Sequence, residues 1–91
     1  MNVVKYQAEF YKQVNKIYED SFPKEERYIS LDRMVNRKDT ELYCLIDQKN
    51  VVGFIYLIFY EEMIFILYLA INHQKRSHGY GSYLLQWCLE K

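Results

Sequence analysis

The sequence is poor in the residues that interrupt regular structure, with one proline and three glycines among 91 residues. This scarcity excludes collagen-like and proline- or glycine-rich low-complexity chains. Half of the residues are hydrophobic (51%) and 18% are aromatic, which is typical of a compact globular protein. At this length we expect one domain, residues 1–91, with a modest core.

The sequence also lacks an excess of charge of either sign, since 12 basic and 12 acidic side chains cancel. A chain without a broad positive field is not expected to bind nucleic acid or an anionic membrane. Any site for an anion must therefore be local.

Cysteine is scarce as well, and Cys44 and Cys88 follow no spacing typical of metal ligands. Both lie inside predicted regular structure, and the sequence shows no signal peptide. We therefore expect two reduced thiols, no metal and a cytoplasmic protein.

One apolar run, residues 51–71, is long enough to cross a bilayer. Its centre carries Glu61 and Glu62, and two carboxylates there would cost several kcal/mol in a membrane. We interpret the run as two strands joined by a hairpin whose tip holds the glutamates. Because both strands are apolar on each face, they should lie in the middle of a sheet covered on both sides by helices.

Hydrophobic spacing predicts the element order β-α-α-β-β-β-α. A strand within residues 1–6 precedes a helix at residues 8–20, and a helix restart is expected at Ser21, with serine as its cap. This second helical stretch reaches about Arg37, with a break near Ser30. The later elements are strands at 42–47, 51–60 and 63–72, and a helix from Gly79 onward.

The segment between the last strand and the last helix combines glycines with cationic side chains. The first turn of a helix leaves backbone N–H groups unpaired and carries partial positive charge, so it can bind an anion. Gly79 and Gly81 would let a phosphate approach closely, while Lys75 and Arg76 add charge. The alternative is that both glycines only shape a tight turn and both cations are solvated.

Two common phosphate-binding patterns do not fit this segment. A Walker motif would need a Gly-Lys-Ser/Thr ending, and the dinucleotide fingerprint would need a third glycine where Leu84 stands. The segment instead resembles the pyrophosphate loop of the Gcn5-related N-acetyltransferase family, Gln/Arg-x-x-Gly-x-Gly/Ala. Arg76, Gly79 and Gly81 match its defined positions.

The resemblance extends beyond the loop. Tyr68–Ile71 is similar to the family's fourth strand, Ser82–Leu85 to the start of its third helix, and Phe22–Arg27 to the link between its first two helices. It implies an α/β (α+β) fold with a mixed, mainly antiparallel central sheet, helices on both faces, and an acyl-CoA N-acyltransferase-like arrangement. The family domain continues after the third helix, so the chain is expected to represent a truncated domain.

The same resemblance implies a binding site for acetyl-CoA or coenzyme A. The backbone of Leu69, Ala70 and Ile71 would pair with the pantetheine arm as a neighbouring strand does. The pyrophosphate would be held by the loop residues Arg76, Ser77, His78, Gly79, Tyr80, Gly81 and Ser82.

No catalytic residue is assigned. Some family members place a glutamate base where this sequence has Phe65, and Glu61 and Glu62 are interpreted as solvated turn residues. His73 and His78 flank the loop and are interpreted as surface histidines, because no nearby carboxylate is expected to orient either ring. Phosphate partners and acid–base groups are the alternatives.

Two functional hypotheses follow from the resemblance. The first is an acetyl-CoA-dependent N-acetyltransferase, or a fragment of one, acting on an amine of unknown identity. The second is an inactive module that binds CoA or only another protein. We also expect a homodimer, because truncation would leave the fourth strand as a long apolar sheet edge.

Overall fold

A single four-stranded antiparallel sheet forms the centre of the described part of the chain, residues 1–90. In the computed structural model the strands are β1 (Asn2–Lys5), β2 (Thr40–Asp47), β3 (Asn50–Tyr60) and β4 (Met63–Ile71). The helices are α1 (Tyr11–Ser21), α2 (Leu31–Asn36) and α3 (Tyr80–Leu89), with short 3₁₀ turns at Ala8–Phe10, Lys24–Glu26 and His73–Lys75. The element order and the α/β (α+β) fold class predicted from the sequence are confirmed.

The strands lie in the order β1-β2-β3-β4, and each of the three pairings is antiparallel. The expected sheet was mixed and mainly antiparallel, but no parallel pairing occurs within residues 1–90. Short hairpin turns join β2 to β3 and β3 to β4, which produces antiparallel pairs. β1 pairs with β2 although a helical segment separates these two strands in the sequence.

Each face of the sheet carries its own core. Helices α1 and α2 pack on one face and α3 packs on the other. The first core includes the buried residues Val14, Ile17, Tyr18, Leu31, Met34, Phe54, Tyr56 and Tyr68. The second is made by Leu45, Val52, Ile55, Leu57 and Leu84. Because successive residues of a strand face opposite sides, β3 needs a nearly continuous apolar sequence to fill both cores.

The position of β4 corrects one expectation and agrees with another. Its apolar pattern predicted a central strand, whereas the family resemblance predicted an exposed edge. β3 lies in the interior of the sheet as predicted, but β4 is at the edge, and within residues 1–90 it pairs only with β3. Its first five residues, Met63 to Leu67, are exposed, and burial begins at Tyr68. An apolar pattern on both faces indicates that a strand has no polar face. It does not indicate whether the strand pairs with another strand along each of its two edges.

The link between the first two helices also differs from the expectation. Ser21 ends α1 and does not cap the next helix. Pro23 follows an extended Phe22 (φ −129°, ψ 129°), as the proline ring requires of the residue before it. The helix cap is Ser30, whose Oγ accepts a hydrogen bond from the Arg33 backbone N–H at 3.3 Å.

The apolar run at residues 51–71 forms the hairpin of β3 and β4, with Glu61 and Glu62 exposed in its turn. No helix within residues 1–90 has the length and apolar character needed to span a membrane.

Candidate functional site

The predicted cofactor residues lie at the end of β4, in the loop that follows it and in the first turn of α3. Leu69, Ala70 and Ile71 are the last three residues of this strand, and the turn at His73–Lys75 follows it on the way to α3. Asn72 fixes the exit from the strand, because its backbone N–H donates to Val52 O at 2.8 Å and its Oδ1 accepts from Gln74 N at 3.0 Å.

The end of β4 offers backbone groups along an edge that no other described strand covers. Ala70 is buried against the α1 side, whereas Leu69 and Ile71 are half-buried on the α3 side. An extended molecule can add to such an edge through main-chain hydrogen bonds.

A β-bulge lies immediately before this segment. Tyr56 pairs with Tyr68 and Leu57 pairs with Ile66, so Leu67 is an extra residue in β4. Bulges bend a strand and change the direction of its side chains and backbone groups. The sequence analysis missed this feature, because no glycine or proline marks Leu67.

Gly53 is a second residue that the sequence analysis missed. A Cβ at this position would lie 2.5 Å from Ile71 Cδ1 and 2.8 Å from Ala70 O. Glycine therefore allows β3 to approach the segment of β4 proposed to pair with pantetheine. A lone glycine inside an apolar strand is the sequence signal that could have indicated it.

The loop before α3 contains two residues in the left-handed conformation, Ser77 (φ 69°) and Gly79 (φ 80°). No atom lies within 4 Å of the place that a Cβ on Gly79 would occupy, so the space beside this glycine is open. Gly81 is different, because its Cβ would make an ordinary contact with Ile71 Cγ1 at 3.9 Å. Gly79 thus meets both a conformational and a spatial requirement of the anion-site interpretation.

The side chain of Arg76 is exposed and makes two hydrogen bonds. Its Nε donates to Ile71 O at 3.3 Å and its Nη2 donates to Ser21 Oγ at 3.4 Å. These two bonds use only part of the five N–H donors of a guanidinium, so the side chain retains capacity for an anion.

The two histidines have different surroundings. His73 lies outside the loop core, with its Nδ1 3.8 Å from a carboxylate oxygen of Asp20. His78 places its Nδ1 close to the carbonyl oxygens of Lys75 and Arg76. Thus His78 makes contacts within the loop itself, which the sequence did not indicate.

Candidate acid and base groups are sparse near this surface. Phe65, at the position where some family members carry a glutamate, is 47% exposed. Tyr68 is buried, and its hydroxyl donates to Glu26 O at 3.0 Å and accepts from Tyr28 N at 3.1 Å. The hydroxyl therefore acts both as a donor and as an acceptor in hydrogen bonds to the backbone. Within residues 1–90, no three histidine, cysteine, aspartate or glutamate side chains are grouped to bind a metal.

A cavity next to the turn after β4 is small, about 120 Å³. It lies between α1 and the turn after β4 and is lined in part by Lys16, Asp20 and His73. A drug-sized ligand usually needs about 300 Å³ or more. This cavity is therefore too small to hold a molecule as large as CoA.

The sequence matches the model of the Acetyltransferase (GNAT) family over residues 8–91. No curated protein matches the sequence. Among solved structures, a candidate acetyltransferase of the GNAT family from Bacteroides thetaiotaomicron is 23% identical, with a TM-score of 0.81 over 99% of this chain and 55% of that chain.

Two further structures share the fold. An aminoglycoside 6'-N-acetyltransferase in complex with coenzyme A is 18% identical, with a TM-score of 0.79 over 97% of this chain and 53% of its own. A GNAT family acetyltransferase from Staphylococcus aureus is 26% identical, with a TM-score of 0.74 over 99% of this chain and 77% of its own. The chain spans about half the length of the first two of these proteins.

Proposed function

From the premise that this chain belongs to the GNAT acetyltransferase family, whose cofactor is acetyl-CoA, we propose that it binds acetyl-CoA and transfers the acetyl group to an amine. One observation carries the proposal. The uncovered edge of β4 continues directly into a glycine loop with open space at the first turn of α3. An extended arm followed by a diphosphate has the shape and charge that this surface accommodates.

The strand end would bind the pantetheine arm. Backbone groups of Leu69, Ala70 and Ile71 would pair with its amides, as in the addition of a strand to a sheet edge. Gly53 supports this role, because it lets β3 hold the backbone of Ala70 and Ile71 closely from the other side.

The loop would hold the pyrophosphate. The proposed contacts come from Arg76, Ser77, His78, Gly79, Tyr80, Gly81 and Ser82. The unpaired N–H groups at the start of α3 and the Arg76 guanidinium supply positive charge. The open space beside Gly79 lets an anion reach these groups.

Acetyl transfer would proceed by direct attack of a deprotonated amine on the thioester carbonyl. The C–N bond forms, the C–S bond breaks, the amine loses one proton and the departing thiolate accepts one. The contribution of this chain would be to fix the thioester in position and to place backbone N–H donors near the developing oxyanion. The side chains near the edge of β4 give no reason to assign a general base.

A second candidate is an inactive module that binds CoA or only another protein. It is favoured by Phe65 at the position of a possible base and by the structural use of the Tyr68 hydroxyl. A test of acetyl transfer to a panel of amines, with CoA binding measured on the same sample, separates the two candidates. CoA release should be followed by chromatography, because the half-buried Cys88 would itself react with a thiol reagent.

Arg76→Ala is the variant that tests the cofactor site. We expect it to weaken CoA binding by about 1.5 to 3 kcal/mol, because charge-assisted phosphate contacts are lost. Arg33→Ala, which removes a cation from α2 rather than from the loop, is the matched control and should bind CoA like the unaltered protein. If calorimetry detects no CoA binding to the folded protein at millimolar concentration, the proposed cofactor is wrong.

We further propose that the protein is a cytoplasmic homodimer. The two unpaired thiols suit a reducing compartment. The apolar edge of β4 supports association between copies of the chain.

A further inference from the structure

The ring of His78 contacts two carbonyl oxygens of the segment that precedes it. Its Nδ1 lies 3.1 Å from Lys75 O and 2.9 Å from Arg76 O. Carbonyl oxygens only accept hydrogen bonds, so the Nδ1 atom must carry the hydrogen that both carbonyls share. The contacts therefore fix which ring nitrogen is protonated.

The same ring stacks on the first residue of α3. The rings of His78 and Tyr80 are 5.8 Å apart and nearly parallel, with an interplanar angle of 10°. The Tyr80 hydroxyl donates a 2.6 Å hydrogen bond to Asp47 Oδ2 at the end of β2. The loop is thus connected through two aromatic rings to the rigid sheet.

This connection matters because of the backbone conformations in the loop. The loop contains Gly79, and the left-handed Ser77 is held in a conformation that a non-glycine residue visits only at a cost. An anion site needs N–H groups directed at the ligand and carbonyl groups directed elsewhere. By bonding the carbonyls of Lys75 and Arg76, His78 engages two oxygens that would repel a phosphate if they faced it.

We propose that His78 is a positioning residue that holds the loop of residues 76–82 in its anion-binding conformation before the ligand arrives. It acts by its Nδ1–H hydrogen bonds to the two carbonyls, supported by the stack on Tyr80. The proposal rests on the proposed function, because the anion in question is the diphosphate of CoA. A loop that is ordered in advance loses less conformational freedom on binding and so binds more tightly.

The test uses three variants at this position. His78→Ala removes the ring and the donor, His78→Phe keeps a ring that can stack but has no donor, and His78→Asn restores a short N–H donor without the ring. His73→Ala is the matched control, since that ring lies beside Asp20 rather than the loop carbonyls. All four proteins are first compared by thermal unfolding.

Two measurements are made on each protein. NMR relaxation of the ligand-free protein reports the order of the loop amides, and calorimetry reports affinity for CoA. We expect the Ala and Phe variants to show order parameters below about 0.6 in the loop. They should bind CoA roughly 5- to 30-fold more weakly, as expected for one or two lost hydrogen bonds. The Asn variant should recover most of both properties, and His73→Ala should change neither.

Several outcomes would overturn the proposal. One is a Phe variant that matches the unaltered protein, because the hydrogen bonds would then be dispensable. Another is an Ala variant whose loop stays ordered and whose CoA affinity is unchanged. If the unaltered protein binds no CoA, the proposed function fails, and the relaxation data still decide whether His78 orders the loop.

Discussion

Gly79 is the residue at which backbone conformation and ligand space coincide. Its φ of 80° disfavours any side chain, and the region where a Cβ would lie is empty. Gly79→Ala should lower the free energy of unfolding by about 1 to 2 kcal/mol through strain in the left-handed conformation. The added methyl would also enter the proposed phosphate space, so CoA affinity should fall more than the strain alone explains. A valine there would add the strain of a branched side chain, so alanine is the cleaner change.

Gly81→Ala separates the effect on stability from the effect on binding. Its Cβ would make an ordinary contact at 3.9 Å, and alanine favours a helix by up to about 1 kcal/mol over glycine. We expect unchanged or slightly higher stability, so a loss of CoA affinity in this variant would report on the phosphate space and not on strain. If Gly79→Ala loses stability but binds CoA normally, the glycine serves only the turn.

Cys44 gives a prediction about reactivity. Burial raises the pKa of this thiol to about 12, so almost none of it is ionised near neutral pH. Cys88 is only half-buried. A thiol reagent at pH 8 should therefore modify one cysteine quickly and the second only in denaturant, and Cys88→Ser should abolish the fast reaction. Rapid modification of both thiols in the folded protein would contradict this assignment.

The same thiol gives a pH dependence of stability. In the unfolded chain it ionises near its ordinary pKa of 9.0, whereas in the folded protein it remains neutral until about 12. Its contribution is therefore complete below pH 9 and is lost as the pH rises from 9 toward 12. Tyr80 changes stability in the same direction, because its hydrogen bond to Asp47 raises the pKa of the phenol. Urea unfolding between pH 7 and 11 should show falling stability above pH 9, with a smaller fall for Cys44→Ala.

Among the secondary-structure elements, the segment between α1 and β2 depends on buried tyrosines. Hydroxyls of Tyr18, Tyr56 and Tyr68 donate to the backbone oxygens of Ile29, Met34 and Glu26, respectively. Tyr68→Phe should lower the free energy of unfolding by about 1 to 3 kcal/mol, because Glu26 O and the Tyr28 N–H lose their partner. Tyr60→Phe, at a position that is 60% exposed, is the control and should be neutral. Loss of acetyl transfer by Tyr68→Phe at unchanged stability would instead indicate a catalytic role.

Prediction from the sequence succeeded where spacing alone determines structure. The helical spacing of apolar residues identified α3, and the continuous apolar run identified β3, because each pattern indicates which faces are buried. The apolar pattern of β4 predicted a central strand, and its edge position followed only from the family resemblance, since hydrophobicity does not report strand neighbours. The bulge at Leu67 was not predicted, because hydrophobicity does not report register either. The family match supports the overall fold, while the contacts of each site residue remain a proposal.

Within the candidate site, the residue types of the loop could be read from the sequence but their contacts could not. The hydrogen bonds of His78 depend on the path of the backbone between residue 75 and residue 78, which includes the positive φ angle of Ser77. A sequence pattern places this histidine next to a phosphate loop without indicating which atoms it binds.

At the scale of the whole molecule, many of the exposed apolar side chains lie on β4 and α3. The exposed hydrophobic residues of β4 are Met63, Ile64, Phe65, Ile66 and Leu67, and those of α3 include Tyr83, Leu85 and Leu89. The β4 sequence contains neither the proline nor the lysine that protein edges often carry against association. A surface of this kind usually marks an interface.

The homodimer proposal makes a prediction that separates two ways of covering this surface. If β4 packs against its symmetry mate, Phe65→Lys should give a monomer, because a charge at a 47% exposed position disrupts the interface without entering the core. If α3 forms the contact, Leu89→Lys should do so instead, since Leu89 is 80% exposed. Val35→Lys, which alters an apolar residue on α2 that is 41% exposed, is the control and should remain dimeric. Light scattering at micromolar concentration distinguishes these outcomes, and a monodisperse monomer of the unaltered protein without CoA would refute the dimer. The β4 contact is the stronger expectation, because only a strand edge can satisfy unpaired backbone groups as well as cover apolar side chains.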